Sequence, residues 1–494
     1  MKLRSLLNGV DYSLLCGSLD CEINDICYDS RKADKGKIFV AIVGLNVDGH
    51  SFVSSAYDKG TRVFIVEREI SLPFERDTTI IKVDDSRKAL ALISRNFFGD
   101  PASQMTVIGI TGTKGKSSIT AILKTILDLA GNTTGTIGTN GVFYKDVHIA
   151  SSHTTPESYE TYGYIRKMLD EGCTHVIMEV SSLGLMMSRV YGIEFDYGVF
   201  TNLSPDHIGN GEHKSFEEYL SCKALLWDQS KKCIANADDA YFEQITANAN
   251  CPITTFAVHK DADITADNIS LFRDGKNLNV GFKCKTRDGD FYITTNVPGE
   301  FTVYNCLTAI SVAREMGIDF DIISKALSDI SVKGRMELVG ETKDYSIIID
   351  YAHNAMSLET ILKTIRQYNP KRLICLFGCG GNRPKMRRYE MGEISGKYAD
   401  FSILTSDNSR FENPEDILDD ILVGMRKTNG KYITIVDRIE AIHYAIDNAK
   451  AGDIILIAGK GHEMYQEIKG IKHPFNEAEI ICSYLDEINK LGGK

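Results

Sequence analysis

The chain contains a glycine-rich segment that ends in lysine and serine, GITGTKGKS at residues 109–117. The apolar run MTVIGI precedes it, and apolar residues at helical spacing follow it. Glycines let backbone N–H groups turn toward an anion, and the helix that follows adds the dipole of its N-terminus. We therefore predict a cradle for the phosphates of ATP, formed by Thr111, Gly112, Thr113, Lys114, Gly115, Lys116 and Ser117. Lys116 would meet the outer phosphates and Ser117 would bind Mg²⁺.

The segment departs from the strict phosphate-loop pattern at one position, because Ile110 stands where glycine is usual. A tight turn between a strand and a helix is the alternative interpretation, and the GKS at the helix start favours phosphate binding over it. A small regulatory nucleotide hydrolase would look similar at this loop. The loop alone therefore does not name a reaction.

Further chemistry-bearing residues follow two other predicted strands. Glu179 ends the run HVIMEV, and Asp206 and His207 come after YGVFTNL. The carboxyl ends of parallel strands lie together, so these side chains can converge on Mg²⁺ above the loop. Mg²⁺ prefers oxygen, which suits Glu179 better than His207, and His207 could instead cap a helix or lie in a core. Lys223 lies in a predicted helix, where a lysine is usually solvated.

The elements that must position these residues alternate between strands and helices. A small α/β unit is predicted for residues 1–100, a central domain with a parallel sheet for residues 101–335, and a second doubly wound, Rossmann-like domain for residues 336–494. The last domain is indicated by YSIIID, RLICLFG, FSILTS, YITIV and DIILIAG, each followed by enough chain for a helix. We therefore expect an α/β protein of three domains.

Composition narrows the partners. The 494 residues carry a formal charge of −11 with no run of lysine or arginine, which argues against nucleic acid or a membrane surface. No stretch approaches the length of a membrane span, and we expect a cytoplasmic monomer without membrane insertion. The twelve cysteines lie singly, so neither zinc nor disulfides are expected, and core packing accounts for Cys375 and Cys379.

The motifs taken together resemble the Mur ligase family over nearly the whole chain. They occur in the order TGTKGKS, MEVSS, TNLSPDH, YLSCK, NADD, GRME, DYAHN and GKGHE. Members phosphorylate a carboxylate with ATP, and the amine of an incoming amino acid then attacks the acyl phosphate. Within the family, the chain is similar to the branch that adds the third residue of the peptidoglycan stem peptide.

The resemblance implies roles around the nucleotide. Glu179 and His207 would help bind Mg²⁺, and Lys223 would be carbamylated, which turns a cation into an oxygen ligand. Asn305 would contact adenine. Arg335 and Asp350 would close on the nucleotide from the domain junction.

The resemblance also implies two substrate pockets. UDP-MurNAc-L-Ala-D-Glu would be bound by Ser30, Leu45, Asn46 and Val47 through its uridine diphosphate and by Thr154, Thr155, Ser181 and Arg189 through its muramoyl peptide. The incoming amino acid would be bound by Arg383, Asp407, Asn408, Ser409, Arg410, Gly459 and Glu463. For Arg189, Arg410 and Glu463, an ordinary surface role is the alternative.

Meso-diaminopimelate is the expected amino acid, because its second carboxylate calls for an arginine such as Arg410. Several residues depart from the family pattern: Ser409 replaces a proline, Leu183 a histidine and Ala355 a proline, and IGNGEHKS follows Asp206-His207. L-lysine or another diamine is therefore the nearer alternative, and a non-catalytic relative that binds UDP-sugar and nucleotide is the more distant one. Folate polyglutamate ligases share the ATP loop, but YDSRKA and GLNVDGH speak against a folate substrate.

Overall fold

The computed structural model describes the chain except residues 45–46, 71–76, 152, 206–207, 210–211, 331–332, 341, 343 and 493–494 and the side chains of 491–492. The described chain divides into two compact units. The first comprises Met1–Thr265 and Leu307–Asp319, and the second comprises Ala266–Cys306 and Phe320–Lys494.

The first unit begins with a five-stranded sheet in the order β1-β5-β4-β3-β2, parallel except where β1 meets β5. One face packs against an amphipathic helix, α3, which Asp85 caps by accepting from the N–H groups of Arg87 and Lys88. The elements are α1 (Leu3–Leu6), β1 (Ser13–Cys16), β2 (Asp25–Cys27), β3 (Lys37–Val40), α2 (Val53–Asp58), β4 (Val63–Val66), β5 (Thr79–Lys82) and α3 (Ser86–Phe97).

The same unit continues with a larger sheet whose central strands are buried on both faces, as expected when helices cover both sides. Its order is β14-β13-β12-β11-β6-β10-β7-β8-β9, and β6 lies between β10 and β11. Its elements are β6 (Thr106–Thr111), α4 (Lys116–Leu129), β7 (Thr134–Gly138), β8 (Gly141–Tyr144), β9 (Val147–Ile149), α5 (Ser158–Asp170), β10 (His175–Glu179), α6 (Ser182–Met186), β11 (Phe195–Phe200), α7 (Phe216–Ala224), β12 (Ser230–Asn236), α8 (Phe242–Thr246), β13 (Ile253–Ala257) and β14 (Ile264–Asp274).

The second unit contains the rest of β14, the antiparallel pair β15 and β16, and a six-stranded sheet in the order β17-β18-β22-β19-β20-β21. That sheet is parallel except for β17. Its elements are β15 (Asn277–Thr286), β16 (Gly289–Thr295), α9 (Phe301–Glu315, which crosses the unit boundary), α10 (Phe320–Ser328), β17 (Glu337–Leu338), β18 (Ser346–Asp350), α11 (Ala355–Arg366), β19 (Arg372–Phe377), α12 (Lys385–Tyr398), β20 (Phe401–Leu404), α13 (Pro414–Met425), β21 (Tyr432–Thr434), α14 (Arg438–Asp447), β22 (Asp453–Ala458), β23 (Tyr465–Ile468), β24 (Ile471–Pro474) and α15 (Glu477–Gly492).

The predicted α/β class is confirmed, with two corrections. The central sheet is not wholly parallel, because the short hairpin strands β8 and β9 extend one edge in antiparallel fashion. The expectation of no disulfide was wrong: Cys233 on β12 is bonded to Cys251, with their Cα atoms 6.4 Å apart. The two lie 18 residues apart in sequence, so spacing alone gave no signal. Cys375 and Cys379 are buried, as predicted. No described helix is long and apolar enough to cross a membrane.

Candidate active site

The glycine-rich loop joins the end of β6 to the start of α4. Gly112 and Gly115 have φ angles of 148° and 90°, which side chains rarely adopt. A Cβ on Gly112 would also lie 1.9 Å from Thr201 Oγ1. The loop is tied to the end of the neighbouring β11, because the N–H groups of Thr113 and Lys114 donate to the Asn202 backbone and side-chain oxygens at 2.8 and 2.9 Å. The loop is thus fixed with the N-terminus of α4 behind it.

The ammonium group of Lys116 lies inside this loop. Its Nζ donates to the carbonyl oxygens of Gly112 at 2.7 Å and of Thr113 at 3.2 Å. Helix α4 begins at Lys116, so its positive dipole end and this ammonium group are at the same place. An anion entering the loop would therefore meet both.

Glu179 lies next to the loop because β10 pairs with β6 in parallel, with Glu179 opposite Ile110. Glu179 is 2% exposed, and both of its carboxylate oxygens accept hydrogen bonds. Oε2 accepts from Ser117 Oγ at 2.9 Å and from Thr139 Oγ1 at 3.2 Å, and Oε1 accepts from the Thr139 N–H at 3.0 Å. A Cβ on Gly138 would lie 2.2 Å from Oε1, so the carboxylate needs glycine there.

Ser117 and Glu179 form an oxygen donor set of the kind that Mg²⁺ prefers. Among the described residues, no three histidines, cysteines or carboxylates cluster as a metal site. The pair of Ser117 and Glu179 fits Mg²⁺, because this ion commonly takes one or two protein ligands and completes its coordination with water and phosphate oxygens. The predicted ligand His207 lies outside the described residues, together with Asp206.

Lys223 reaches the loop from α7 and is 1% exposed. Its Nζ donates to the Gly112 carbonyl oxygen at 3.0 Å and lies 4.6 Å from the centre of the Tyr219 ring. The Tyr219 hydroxyl is 3.0 Å from Thr113 Oγ1, so α7 is bonded to the loop as well. Lys116 and Lys223 share one acceptor, which brings two ammonium groups close together.

The residues predicted for the muramoyl peptide lie in one network around Glu179. Thr155 Oγ1 donates to the Glu179 carbonyl at 2.9 Å and accepts from the Ser181 N–H at 2.9 Å, while Ser181 caps α6. Thr154 Oγ1 is 3.0 Å from the hydroxyl of Thr139. The structure thus brings Thr154, Thr155 and Ser181 to the metal-binding candidate.

Arg189 donates from Nε to Glu157 Oε1 at 2.9 Å and from Nη1 to the Thr155 carbonyl at 3.0 Å. The paired Arg189 and Glu157 side chains are each 15% exposed, so the contact is largely buried rather than a surface bridge. Arg87 of α3 also contacts Glu157, at 3.3 Å. Sequence reasoning missed Glu157, although it follows HTTP directly.

The residues predicted for the uridine diphosphate are less fully described. Ser30 begins a short 3₁₀ turn, and its carbonyl accepts from Lys59 Nζ at 2.9 Å. The side chain of Val47 is 57% exposed. Leu45 and Asn46 lie outside the described residues.

In the second unit, Asp350 ends β18 and is 5% exposed. It accepts from the N–H groups of Met336 and Ala352 at 2.8 and 2.7 Å. Burial raises the pKa of Asp350 to about 6, and the nearby charge of Arg335 opposes that rise. The guanidinium of Arg335 lies 4.9 Å from the centre of the Tyr351 ring. Asn305, predicted for adenine, is a nearly buried residue of α9.

His462, which lies near Arg335, should make the stability of the protein depend on pH. Burial, helped by Arg335 and Lys333, lowers the pKa of its ring to about 4. The folded state therefore holds the neutral ring, while the unfolded chain takes up a proton below its ordinary pKa of 6.5. Stability from this group is present above pH 6.5 and is lost as the pH falls toward 4. We expect His462→Gln to remove about 1–3 kcal/mol of the difference in unfolding free energy between pH 7 and pH 4, measured in urea. An equal pH dependence in both proteins would contradict the assignment.

The residues predicted for the amino acid follow the carboxyl ends of β19, β20 and β22, which are neighbours in the sheet. Asn408 Nδ2 donates to Glu463 Oε2 at 2.8 Å. Lys460, fully buried, donates to Asn408 Oδ1 at 3.1 Å and to Glu463 Oε2 at 3.3 Å. Gly459 has φ of 115°, and a Cβ there would be 2.8 Å from Asp407 Oδ2. Sequence reasoning missed Lys460, which orients both partners.

Arg410 adopts a left-handed conformation with φ of 54°. Its Nη1 donates to the Gly381 carbonyl at 2.7 Å and its Nε to Glu467 Oε2 at 3.4 Å. Ser409, where the family has proline, is buried, and its carbonyl would be 1.9 Å from a Cβ on Gly381. Close packing therefore holds this turn. Arg383 is exposed on the adjoining loop.

Arg388 supports the two loops that carry Arg383 and Arg410. Its guanidinium is 1% exposed and contacts both oxygens of Glu412 at 2.8 Å and Asp420 Oδ2 at 2.9 Å. We expect Arg388→Ala to lower the unfolding free energy by about 2–4 kcal/mol, because it removes the ion pairs to Glu412 and Asp420 and empties the buried space that the guanidinium fills. Lys385→Ala is the matched control: it contacts Asp420 with a side chain 65% exposed, and should cost less than about 1 kcal/mol in the same urea titration. Equal losses would contradict this role.

Comparison with known proteins matches three domains of one family: "Mur ligase family, catalytic domain" at residues 22–98, "Mur ligase middle domain" at 110–313 and "Mur ligase, glutamate ligase domain" at 334–461. A UDP-N-acetylmuramoyl-L-alanyl-D-glutamate–2,6-diaminopimelate ligase of Clostridium perfringens is 41% identical, over 98% of this chain and 100% of the relative. The ligase of the same name from Caldanaerobacter subterraneus is 42% identical, over 99% and 100%. A solved structure of a ligase of that name has a TM-score of 0.74 at 27% identity and covers 99% of each chain.

Proposed function

Because this chain belongs to the Mur ligase family, we propose that it is an ATP-dependent, ADP-forming amide ligase acting on UDP-MurNAc-L-Ala-D-Glu. It joins the amine of meso-diaminopimelate to the γ-carboxylate of the D-glutamate. The observation that carries this proposal is the hydrogen bond between Ser117 and the buried Glu179 beside the phosphate loop, with Thr154, Thr155 and Ser181 in the same network. Full-length similarity to relatives named for this reaction supports it.

The reaction follows from these groups. The loop binds the triphosphate, and Lys116 stabilises charge that develops on the transferring phosphoryl group. Ser117 and Glu179 would hold Mg²⁺, which neutralises phosphate charge when bound. An oxygen of the γ-carboxylate attacks the γ-phosphorus, and ADP leaves. The resulting acyl phosphate is attacked at its carbonyl carbon by the uncharged amine, and phosphate departs as the amide forms and the nitrogen loses a proton.

Carbamylation of Lys223 belongs to this proposal. Lys223 is buried, and its Nζ bonds to the same Gly112 carbonyl as the Nζ of Lys116. In its uncharged form the amine of Lys223 would add to CO₂, form an N–C bond and release a proton. The product is a carboxylate-like group beside the loop, where it offers an oxygen ligand and opposes the charge of Lys116.

We expect Lys223→Ala to lower kcat by about 10²-fold or more through loss of this charge. Intact mass under mild conditions should show one added CO₂ on the wild-type protein, lost after brief acid treatment and absent from the variant. Lys214→Ala, an exposed lysine just before α7, is the control and should keep both activity and mass shift. An active wild-type protein without the added mass would contradict the modification.

The acceptor would be held at the ends of β19, β20 and β22. Glu463, already bonded to Asn408, would bind an ammonium group of the amino acid. Arg410, with Arg383 nearby, would bind the second carboxylate of diaminopimelate. Asp407, Ser409 and Gly459 would complete this pocket.

The remaining predicted roles are part of the same proposal. Ser30, Leu45, Asn46 and Val47 would bind the uridine diphosphate, and Arg189 the muramoyl peptide. Asn305, Arg335 and Asp350 would act on the nucleotide, and His207 on Mg²⁺. Residues 1–100, 101–335 and 336–494 would serve as UDP-substrate, ATP and amino-acid domains of a cytoplasmic monomer.

The experiment that tests the proposal mixes purified protein, ATP, Mg²⁺ and UDP-MurNAc-L-Ala-D-Glu with single amino acids, and reads product mass. Meso-diaminopimelate should extend the nucleotide peptide, and L-lysine should do so less efficiently. Extension by lysine alone would move the assignment to the lysine-adding alternative. No extension by any amino acid would reject the ligase.

A further inference from the structure

A cavity of about 870 Å³ opens on the second unit, at the edge of the six-stranded sheet where β19, β20 and β21 begin. The residues proposed for the amino acid follow the opposite ends of β19 and β20. At about 3.3 Å per residue, the six residues of β19 separate the two edges by roughly 20 Å. The cavity is therefore distinct from the proposed acceptor pocket.

The lining of this cavity is basic in a chain whose overall charge is −11. Its cationic residues are Lys371, Arg372, Lys397, Lys427 and Lys431. Only two carboxylates, Glu393 and Asp400, lie among the lining residues. The balance is an excess of positive charge at one concave surface, which draws in anions.

Much of this positive charge is not neutralised locally. Asp400 already has other partners: it accepts from the Leu373 N–H at 2.7 Å and pairs with Arg366 at 2.8 Å. Within the described part of the chain, neither Lys371 nor Lys431 has a carboxylate within ion-pair distance, and both are exposed. These two lysines can therefore turn toward a ligand at little cost.

The remaining cations have partners that fix part of the rim. Arg372 is held by Asp453 at 2.6 Å, and Lys427 forms an exposed pair with Glu393 at 3.3 Å. Lys397 lies 5.2 Å from the centre of the Tyr398 ring. Asp453 thus holds Arg372 in place, and the lysines of the lining supply the positive charge that remains.

Two glycines, Gly396 and Gly430, are among the residues that line the cavity. A Cβ on Gly430 would lie 2.6 Å from the Gly396 Cα, and a Cβ on Gly396 would lie 2.2 Å from Thr428 Oγ1. The end of α12 and the loop before β21 therefore touch backbone to backbone. This close approach packs the two segments that carry Lys397, Lys427 and Lys431 against each other.

We propose that this cavity binds a small molecule carrying two or more phosphate groups, such as a nucleoside diphosphate or sugar nucleotide. Its volume lies in the range of small-molecule sites. Lysine ammonium groups are compact donors suited to phosphate oxygens, and four lysines line this cavity against two carboxylates. The site lies at the sheet edge opposite the residues proposed for the amino acid. It would therefore bind such a ligand without catalysing a reaction on it. It does not depend on the proposed ligase reaction.

The test titrates the full-length protein with tripolyphosphate by calorimetry and follows hydrogen exchange in the peptide spanning 427–431. We expect protection of that peptide on binding, and at least about a tenfold weaker association at this site in Lys371→Gln/Lys431→Gln. Lys490→Gln, which removes an exposed lysine of α15, should bind as the wild type does.

The variant Lys116→Ala separates this site from the phosphate loop. It should lose any binding at the loop and keep the protection of 427–431, whether or not the ligase proposal is correct. Absence of protection in the wild-type protein, or unchanged affinity in the double variant, would overturn the proposal. The hydrogen-exchange result on the wild type stands even if the double variant fails to fold.

Discussion

Lys116→Ala should abolish ligation, with kcat reduced by about 10³-fold or more, while binding of UDP-MurNAc-L-Ala-D-Glu stays unchanged. The reason is geometric. The ammonium group lies inside the loop against the Gly112 and Thr113 carbonyls, at the dipole end of α4. The residues proposed for the muramoyl peptide, Thr154, Thr155 and Ser181, instead bond to Thr139, to Glu179 and to one another. Steady-state phosphate release and calorimetry with the UDP substrate measure the two effects separately.

Lys124→Ala is the matched control, because this lysine lies on the same helix and forms an exposed pair with Asp128. It should leave both quantities near the wild-type values. Near-normal turnover in Lys116→Ala would reject the assigned role. Loss of UDP-substrate binding in that variant would show that the effect is not confined to the phosphates.

Arg410→Ala should raise KM for meso-diaminopimelate by about 10²-fold or more, and should raise KM for L-lysine much less. The guanidinium is positioned by Gly381 and Glu467, so it is directed before any ligand arrives. Diaminopimelate has a second carboxylate for it to bind, and lysine does not. Kinetics with both amino acids, at saturating ATP and UDP substrate, give the selectivity as a ratio of kcat/KM.

Arg410→Lys should restore charge but not the planar fork, and should recover only part of the selectivity. Arg426→Ala, at the exposed end of α13, should leave kcat/KM unchanged for both amino acids. Equal losses with lysine and diaminopimelate would mean that Arg410 maintains the loop instead of selecting the substrate.

The strands that are marked by a run of apolar residues could be predicted from the sequence. The buried runs that became β6, β10, β18, β19 and β22 have apolar residues at their centres. The antiparallel strands β8 and β9 escaped prediction because each is four residues or fewer, too short for a period to be read. The Cys233–Cys251 bond depends on the parallel pairing of β12 with β13, which brings the two cysteines together and which no spacing encodes.

The site divides in the same way. Ser117 and Glu179 could be placed together because both follow central strands of a parallel sheet. Thr139 and Lys460 could not, since each acts through another residue: Thr139 orients Glu179, and Lys460 orients Glu463. Such supporting groups have no motif of their own. Their roles become visible only when the distances are known.

The central claim is that ATP activates the γ-carboxylate by phosphorylating it. The most direct test labels both oxygens of that carboxylate with the heavy isotope and follows the label by mass spectrometry during ligation. Attack on the γ-phosphorus predicts that each inorganic phosphate released carries one labelled oxygen, with ADP unlabelled. Label in AMP, or phosphate free of label while amide forms, would contradict it.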